Sequence, residues 1–100
     1  MGGAECVMGN DEAAIERYFV EQVKLAGGES FKFTSFGMRG VPDRIAIFRF
    51  NRTFFVEMKQ KRGRLREHQK LWHDLVWELG VQVECLWSKQ QVDDFIRRVK

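Results

Sequence analysis

The chain has 100 residues, of which 44% are hydrophobic and 31% charged, so it is long enough for one domain with a core and too short for two. The apolar and aromatic content excludes an intrinsically disordered protein, and no run approaches the ~20 apolar residues of a membrane span. The segment Met1–Asp11 lacks the basic and apolar regions of a signal peptide. We therefore expect a flexible lead-in at residues 1–10, a single domain at residues 11–100, a cytoplasmic location and no membrane partner.

The formal net charge of +3 is unevenly distributed along the chain. Residues 1–30 carry six acidic and two basic residues, a net charge of −4, whereas residues 44–70 carry nine basic and two acidic residues, a net charge of +7. A basic block in the middle of a small domain predicts an anionic partner, most often nucleic acid. A solvated charged face is the alternative interpretation of the same block.

The first third of the chain predicts a helix and then a strand. Apolar residues recur four apart between Asp11 and Ala26, which indicates an amphipathic helix that ends at Gly27-Gly28. Alternating phenylalanines predict a strand over Phe31–Phe36. Two glycines and the single proline then indicate a loop over Gly37–Pro42.

The middle of the chain predicts a β-hairpin. Arg44–Phe50 and Thr53–Lys59 are rich in β-branched and aromatic residues, and Asn51-Arg52 lies between them as the turn. Both alternating sets of side chains in this hairpin are largely apolar. A sheet with two apolar faces must be covered on both, so we expect helices on each side of it.

The last third predicts a helix, a strand and a final helix. The first helix covers Leu65–Leu79 and ends at Gly80, and the strand covers Val81–Trp87. Ser88 stands three residues before Gln91, which is the spacing of a capping box. The predicted order is therefore α-β-β-β-α-β-α, an α/β fold whose central sheet is flanked by helices on both faces.

Glu57 and Lys59 are charged residues in a strand that is otherwise apolar. Because residues two apart in a strand project from the same face, these two side chains lie together. A two-residue turn at Asn51-Arg52 would set Asp43 on the opposite face from Glu57. A three-residue turn or a bulge would set Asp43 opposite Lys59 and on the face of Glu57. A surface salt bridge at a strand end is the alternative to a functional site.

In the second register two carboxylates and an ammonium group converge at the open end of the hairpin. Asp43 and Glu57 would repel each other there, and a divalent cation would relieve the repulsion. Hard oxygen ligands suit Mg²⁺ or Mn²⁺. Lys59 would then position or deprotonate a water molecule and counter the charge that develops on a phosphate.

The remaining cysteine and histidine residues form no metal-binding pattern. Cys6 and Cys85 have neither metal-ligand spacing nor a disulfide framework, and we expect reduced thiols, with Cys85 in the core. His68 and His73 are five residues apart rather than three or four, so we expect both on the helix surface.

Pro42-Asp43 followed by Glu57-x-Lys59 resembles the signature of the PD-(D/E)xK nuclease superfamily. The flanking residues extend this resemblance to its VRR-NUC (virus-type replication-repair nuclease) family: Gly40-Val41-Pro42-Asp43, Val56-Glu57-Met58-Lys59, Gly63-Arg64-Leu65, Gln69 and Trp72, with an early helix that begins Glu12-Ala13-Ala14-Ile15. The resemblance runs from about Glu12 to Ser88. It implies a restriction-endonuclease-like core with a central mixed β-sheet, which agrees with the order of elements above.

The resemblance also implies roles for individual residues. Asp43 and Glu57 would be the carboxylate ligands of Mg²⁺ or Mn²⁺, the Met58 backbone carbonyl would be a further ligand, and Lys59 would be the catalytic lysine. Arg66 departs from the small polar residue that often follows the Gly-x-Leu segment in the family, which leaves the start of the helix open.

Three further sets of residues complete the expected site. Gln69 would face it from the helix after the basic loop. Glu12 would be the acid of the first helix and a further metal ligand, and Glu16, one turn on, is the rival for that role. Contacts with DNA phosphates are expected from the basic loop, at Lys61, Arg62, Arg64 and Arg66.

We therefore expect a metal-dependent, structure-specific DNA endonuclease encoded by a bacterium or a phage. Stand-alone members of this size resemble enzymes that pair as homodimers, and two sites related by a two-fold axis suit the cleavage of a four-way (Holliday) junction. The alternatives are a flap or branched-DNA nuclease directed by a partner, a non-catalytic DNA-binding module, and a small domain whose basic block binds an acidic protein.

Overall fold

The computed structural model describes residues 11–59 and 64–100. Within them the chain forms three helices and four strands: α1 Glu12–Leu25, β1 Glu29–Lys32, β2 Arg44–Phe48, β3 Arg52–Met58, α2 Glu67–Glu78, β4 Val83–Leu86 and α3 Lys89–Val99. The strands form one sheet in the order β1-β2-β3-β4. The β1–β2 and β2–β3 pairs are antiparallel and the β3–β4 pair is parallel, so the sheet is mixed, as predicted.

One face of the sheet packs against α1 and α3 and contains the main core. The side chains of β2 and β3 that point to this face alternate with those of the other face, which is the strand period of two. Phe95 of α3 lies at the centre, with its ring 5.2 Å from that of Phe54 and 5.9 Å from that of Phe19. The buried cluster contains Ile15, Phe19, Val23, Ala46, Phe48, Val56, Met58, Leu86, Val92, Phe95, Ile96 and Val99.

The opposite face of the sheet is covered by α2, which packs less deeply. The ring of Trp72 lies 5.6 Å from that of Phe55 and 6.2 Å from that of Phe33, and no residue of α2 is buried. Helices thus flank both faces, as the two apolar faces of the hairpin predicted. The contacts of α2 are sufficient to hold its inner side chains over the end of β3.

The helices match the sequence prediction closely. Asp11 caps α1, because its Oδ1 accepts a hydrogen bond from the Ala14 N–H at 2.7 Å. Gly27, at a φ of 87°, ends that helix. Ser88 caps α3 by accepting from the Gln91 N–H at 3.2 Å. Among the described residues no helix is long and apolar enough to span a membrane.

The first strand lies earlier in the chain than predicted. β1 covers Glu29–Lys32 and pairs with β2 along this length, from Glu29 opposite Ile47 to Lys32 opposite Arg44, where β2 begins. The prediction of a strand that extends to Phe36 is wrong: Phe36 is fully exposed in the following loop. Phe33 lies beyond the strand, and its ring packs 5.9 Å from that of Phe55.

The hairpin turn also differs from the prediction. The strands are connected by residues 49–51, so the connection has the three residues of the second predicted alternative but begins two residues before Asn51 and ends one residue before Arg52. Phe50 and Asn51 have positive φ values of 66° and 62°, as in the primed turns that match strand twist. Arg44 pairs with Val56, and the same register continued by one residue sets Asp43 opposite Glu57 rather than opposite Lys59. Asp43 and Glu57 therefore share one face of the sheet, as expected, but the residue opposite Asp43 is two positions earlier than predicted.

The other boundaries move by one or two residues. α2 begins at Glu67 and ends at Glu78, and β4 covers Val83–Leu86. The start of α2, which the sequence left open, is therefore fixed: Arg66 is the N-cap residue, and the helix begins at Glu67.

Candidate active site

Asp43 and Lys59 lie at the same end of the sheet as Glu57, on the face that α2 covers. Asp43 directly precedes β2, Glu57 is the penultimate residue of β3, and Lys59 directly follows β3. The Asp43 Oδ2 accepts a hydrogen bond from the Met58 N–H at 2.8 Å, so this carboxylate is tied across the hairpin to the neighbouring strand. The Lys59 N–H donates to the Leu86 carbonyl at 2.9 Å, which extends the β3–β4 pairing by one residue.

Glu57 is the buried centre of this group, with only 1% of its surface exposed. Its Oε2 accepts a hydrogen bond from Gln69 Nε2 at 3.0 Å and lies 3.8 Å from the Lys59 ammonium. Its Oε1 is buried and has no hydrogen-bond partner among the described residues. A buried carboxylate oxygen without a partner is costly, so this atom marks a position that a ligand can occupy.

The pKa of Glu57 is raised from 4.5 to about 8, and burial is the largest cause. The negative charge of Asp43, a hydrogen bond with that carboxyl group and the charge of Glu12 contribute to the rise, whereas the Lys59 ammonium opposes it. Near neutral pH the carboxyl of Glu57 is therefore mostly protonated. A cation that binds between Asp43 and Glu57 would displace that proton and relieve the repulsion.

Gln69 connects the site to the start of α2. Its Oε1 accepts a hydrogen bond from the Arg66 N–H at 2.8 Å, while its Nε2 donates to Glu57. These two bonds orient the amide, so that its donor faces the carboxylate. The helix start and the buried carboxylate are thus held by one side chain.

The loop that leads into Asp43 packs directly on α2. Gly40 has a φ of 89°, and a Cβ at this position would lie 2.1 Å from the His68 carbonyl oxygen. Only glycine fits such an approach of two backbones. The loop is closed at its base by a hydrogen bond of 3.0 Å from the Phe33 N–H to the Asp43 carbonyl.

The two candidate acids of α1 have different surroundings. Glu12 lies in the first turn, is exposed, and is near enough to Glu57 to raise its pKa. Glu16 is engaged elsewhere, since its Oε2 lies 2.8 Å from the Arg44 Nε and 3.7 Å from the Lys32 Nζ. Of the two acids, Glu12 is therefore the one whose charge acts on Glu57, whereas Glu16 is engaged by Arg44 and Lys32.

The donor set fits a hard divalent cation. Asp43 and Glu57 are adjacent carboxylates, and the unpaired Oε1 of Glu57 is an oxygen available for a metal. In residues 11–59 and 64–100 there is no group of three or more His, Cys, Asp or Glu side chains that could hold a metal ion. The described side chains therefore offer two adjacent carboxylates, Asp43 and Glu57, for such an ion.

Half of the predicted basic loop can be placed. Lys61 and Arg62 lie outside the described residues. Arg64 and Arg66 are exposed just before α2, and neither guanidinium forms an ion pair within the part of the chain that the structure describes.

The structure adds a residue that the sequence analysis assigned to the surface. The Nε2 of His73 is buried and has no hydrogen-bond partner among the described residues. Burial lowers the pKa of His73, and the nearby charge of Lys59 lowers it as well, although Asp74 opposes this. His73 follows Gln69 by four residues, so the helix period that placed Gln69 over the site was the signal for it.

Cys85 is a second neighbour of the site. It pairs with Glu57 across the parallel β3–β4 ladder and is half-buried rather than part of the buried core. Burial raises the pKa of its thiol to about 11, and the charge of Glu57 contributes to this rise. The group is therefore a neutral thiol and not a reactive thiolate.

Comparison with known proteins yields two informative similarities. The chain is 37% identical over 78 residues to a protein named "Putative nuclease p44" of Acyrthosiphon pisum secondary endosymbiont phage 1, which covers 78% of this chain and 84% of that protein. It is also similar to a solved structure described as "VRR_NUC domain", with a TM-score of 0.82 and 28% identity over 89% of this chain and 97% of the other. No protein-family model matches the chain.

Proposed function

Because the chain belongs to the VRR-NUC family of nucleases, we propose that it is a metal-dependent, structure-specific DNA endonuclease that cleaves four-way junctions as a homodimer. The observation that carries the proposal is the buried carboxyl of Glu57, whose Oε1 has no partner in the described chain and whose pKa is raised to about 8 beside Asp43. A buried carboxyl group whose pKa is strongly raised beside a second carboxyl group is typical of functional sites.

We assign the carboxylates of Asp43 and Glu57, with the Met58 backbone carbonyl, as the ligands of Mg²⁺ or Mn²⁺. Such an ion, when bound, polarises a phosphoryl oxygen and lowers the pKa of a water molecule. Lys59 is the catalytic lysine of the proposal: its ammonium, 3.8 Å from Glu57 and only 8% exposed, is in place to orient a water molecule or to counter charge on the phosphate.

Gln69 and Glu12 have supporting roles in this proposal. Gln69 holds the Oε2 of Glu57 through a hydrogen bond of 3.0 Å, which leaves Oε1 free for the cation. Glu12 adds negative charge at the edge of the site, since it raises the pKa of Glu57. This charge favours a divalent cation over a vacant site.

The basic residues before α2 supply the contacts with DNA in this proposal. Arg64 and Arg66 are exposed at the start of the helix that carries Gln69, so a bound phosphate would lie close to the carboxylate pair. Lys61 and Arg62 belong to the same loop in sequence and are assigned the same role. Phosphate contacts are independent of base sequence, which suits a nuclease that recognises the shape of its substrate.

The proposed homodimer is supported by the outward side of α2. Leu71 and Leu75 are exposed there, and Met38 from the loop that leads to Asp43 lies beside them. An apolar surface on a helix so close to the site suits an isologous contact with a second copy. Two active sites related by a two-fold axis could then cut two strands of one junction.

The test is cleavage of end-labelled junction, flap and linear duplex in Mg²⁺, Mn²⁺ or EDTA. We expect the junction to be cut in the presence of metal only, and Asp43→Asn to lose more than ~100-fold activity. Asp94→Asn, which removes a carboxylate from the outer side of α3, is the matched control and should cut normally. Lys59→Ala should bind the junction as the wild type does but cleave it very slowly. Lys24→Ala is the matched control, and it should bind and cleave the junction as the wild type does.

Each contrary result selects an alternative. Cleavage in EDTA, or full activity of Asp43→Asn, would refute the assigned site. Preference for flaps only with an added partner would favour the partner-directed nuclease, and binding without cleavage in any metal would favour the non-catalytic module. A monomer by analytical ultracentrifugation that still resolves junctions would refute the homodimer.

A further inference from the structure

A cationic cleft lies on the other side of Asp43 from α2. It encloses about 380 Å³ between α1 and the edge of the sheet formed by β1 and β2. Its lining residues are Ala13, Glu16, Arg17, Val20, Lys32 and Arg44. Three of these side chains are cationic and one is anionic, and none of them belongs to the nuclease site described above.

Two of the three cations of this cleft pair with one carboxylate. Arg44 is only 15% exposed, and its guanidinium donates to Glu16 Oε2 at 2.8 Å and to Ser30 Oγ at 3.3 Å. Lys32 lies 3.7 Å from the same Glu16 oxygen and is 71% exposed. Arg17 is exposed on α1 and forms no ion pair within the described residues. The cleft therefore keeps a net positive charge after Glu16 has been counted.

The position of the cleft relates it to the active site. Arg44 directly follows Asp43, so their Cα atoms are ~3.8 Å apart, and Glu16 is one helical turn after Glu12. Side chains alternate along β2, so Asp43 faces α2 while Arg44 faces α1. A DNA strand that passes over the end of the sheet at Asp43 would meet Arg44 and Lys32 next.

We propose that this cleft binds a backbone phosphate of the DNA strand, and that Glu16 occupies it as an internal competitor in the free protein. This inference takes from the proposed function only that the protein binds DNA, and it does not depend on the assignment of the metal ligands. A guanidinium that pairs with a carboxylate presents the same planar donors to a phosphate. Arriving phosphate displaces the Glu16 carboxylate from Lys32 and Arg44, and Arg17 adds a charge that Glu16 does not neutralise.

The proposal predicts that removing an acid strengthens DNA binding at this cleft and not elsewhere on α1. We would measure the affinity of a fluorescent duplex by anisotropy in EDTA, so that no cleavage occurs, at several NaCl concentrations. Glu16→Gln should bind about threefold more tightly, with log K against log salt steeper by up to ~0.9. Glu21→Gln removes the same charge from the exposed side of the same helix and is the matched control, expected to differ little from the wild type.

A second variant tests the cations directly and leaves the Glu16–Arg44 pair intact. Arg17→Ala combined with Lys32→Ala should weaken binding about tenfold and make the salt slope shallower by up to ~0.9, the contribution of one phosphate. Lys24→Ala, on the last turn of α1 outside the cleft, controls for loss of a general positive charge. Thermal unfolding of each variant identifies any that fail to fold.

The possible results separate this inference from the proposed function. Two results would refute phosphate binding in the cleft without bearing on metal-dependent cleavage. One is equal DNA affinity of Glu16→Gln and Glu21→Gln, and the other is an unchanged slope of log K against log salt for Arg17→Ala with Lys32→Ala. Inorganic phosphate, at constant ionic strength, is the probe for a free anion. If phosphate binds the wild type and not the double variant, while both bind DNA equally, the cleft is a free-anion site and the DNA inference is refuted.

Discussion

Replacing Glu57 with glutamine should stabilise the metal-free protein while it abolishes cleavage. Glutamine has the shape of the protonated carboxyl: its Oε1 can accept the hydrogen bond from Gln69, and its amide can donate towards Asp43. The wild-type residue, in contrast, must either keep a proton or carry a charge in a position that is 1% exposed, with its Oε1 without a hydrogen-bond partner among the described residues. The two effects have opposite signs because the proposed cation needs the charge of Glu57, whereas burial penalises that charge in the metal-free protein.

The magnitude follows from the pKa of Glu57, which rises from 4.5 to about 8 on folding. A carboxyl whose pKa is raised binds its proton more tightly in the folded state, so its stabilising effect is complete below pH 4.5 and is lost as the pH rises to about 8. Each pH unit in this window costs up to about 1.4 kcal/mol, and the sum is on the order of 3–4 kcal/mol. Glu57→Gln removes this dependence.

The assay is chemical or thermal unfolding in EDTA between pH 5 and 8.5. Near pH 5 the variant and the wild type should have nearly equal free energies of unfolding. At pH 8 the variant should be more stable by about 3 kcal/mol, which raises Tm by at least ~10 °C for a domain of this size. Mg²⁺ should raise the Tm of the wild type with release of a proton, and should have no effect on the variant.

A matched control is Glu84→Gln on β4. Glu84 forms an ion pair of 3.0 Å with Arg98, whose side chain is 59% exposed, so Glu84→Gln should lower the free energy of unfolding by no more than about 1 kcal/mol and should not reproduce the gain expected for Glu57→Gln. Parallel pH profiles for Glu57→Gln and the wild type, or a Glu57→Gln protein that is less stable at pH 8 in EDTA, would refute the reasoning.

Three further outcomes are expected. Gln69→Ala should weaken Mg²⁺ binding at least ~10-fold, as measured by titration of Tm with metal, because the carboxylate of the site loses its orienting donor; unchanged metal affinity would show that the amide only caps α2. Gly40→Ala should destabilise the fold by about 3 kcal/mol or more, since its Cβ would clash with backbone at 2.1 Å, whereas Gly37→Ala, with no atom within 4 Å, should stay within about 1 kcal/mol in urea unfolding. Arg64→Ala with Arg66→Ala should make the salt slope of duplex binding shallower by about 2, with equal losses for junction and duplex; a loss limited to junctions would mean that these residues recognise shape.

Local features of the sequence predicted most of the elements and indicated the candidate residues of the site. Asp11 and Ser88 indicated the starts of α1 and α3, because a side-chain oxygen next to free N–H groups forms the cap whatever lies elsewhere in the chain. The shared face of Glu57 and Lys59 followed from the strand period alone. Their motif, together with Asp43, also indicated the family.

The three-dimensional contacts decided what lies beyond the reach of a local pattern. The register of Asp43 depended on a turn at residues 49–51, and the length of β1 depended on the residues that β2 offered for pairing. The engagement of Glu16, the rival of Glu12, depended on Arg44, which lies 28 residues from Glu16 in the chain and 2.8 Å away in space.

The chemistry of Glu57 shows the same division most clearly. The sequence by itself determined that a carboxylate stands beside a lysine on one face of a strand, because alternation is a property of the strand. Only the tertiary structure decided that this carboxylate is buried, that one of its oxygens has no partner among the described residues, and that its pKa rises to about 8. Gln69 of α2 contacts this carboxylate, and the free energy of a charge depends on the water that the surrounding segments exclude.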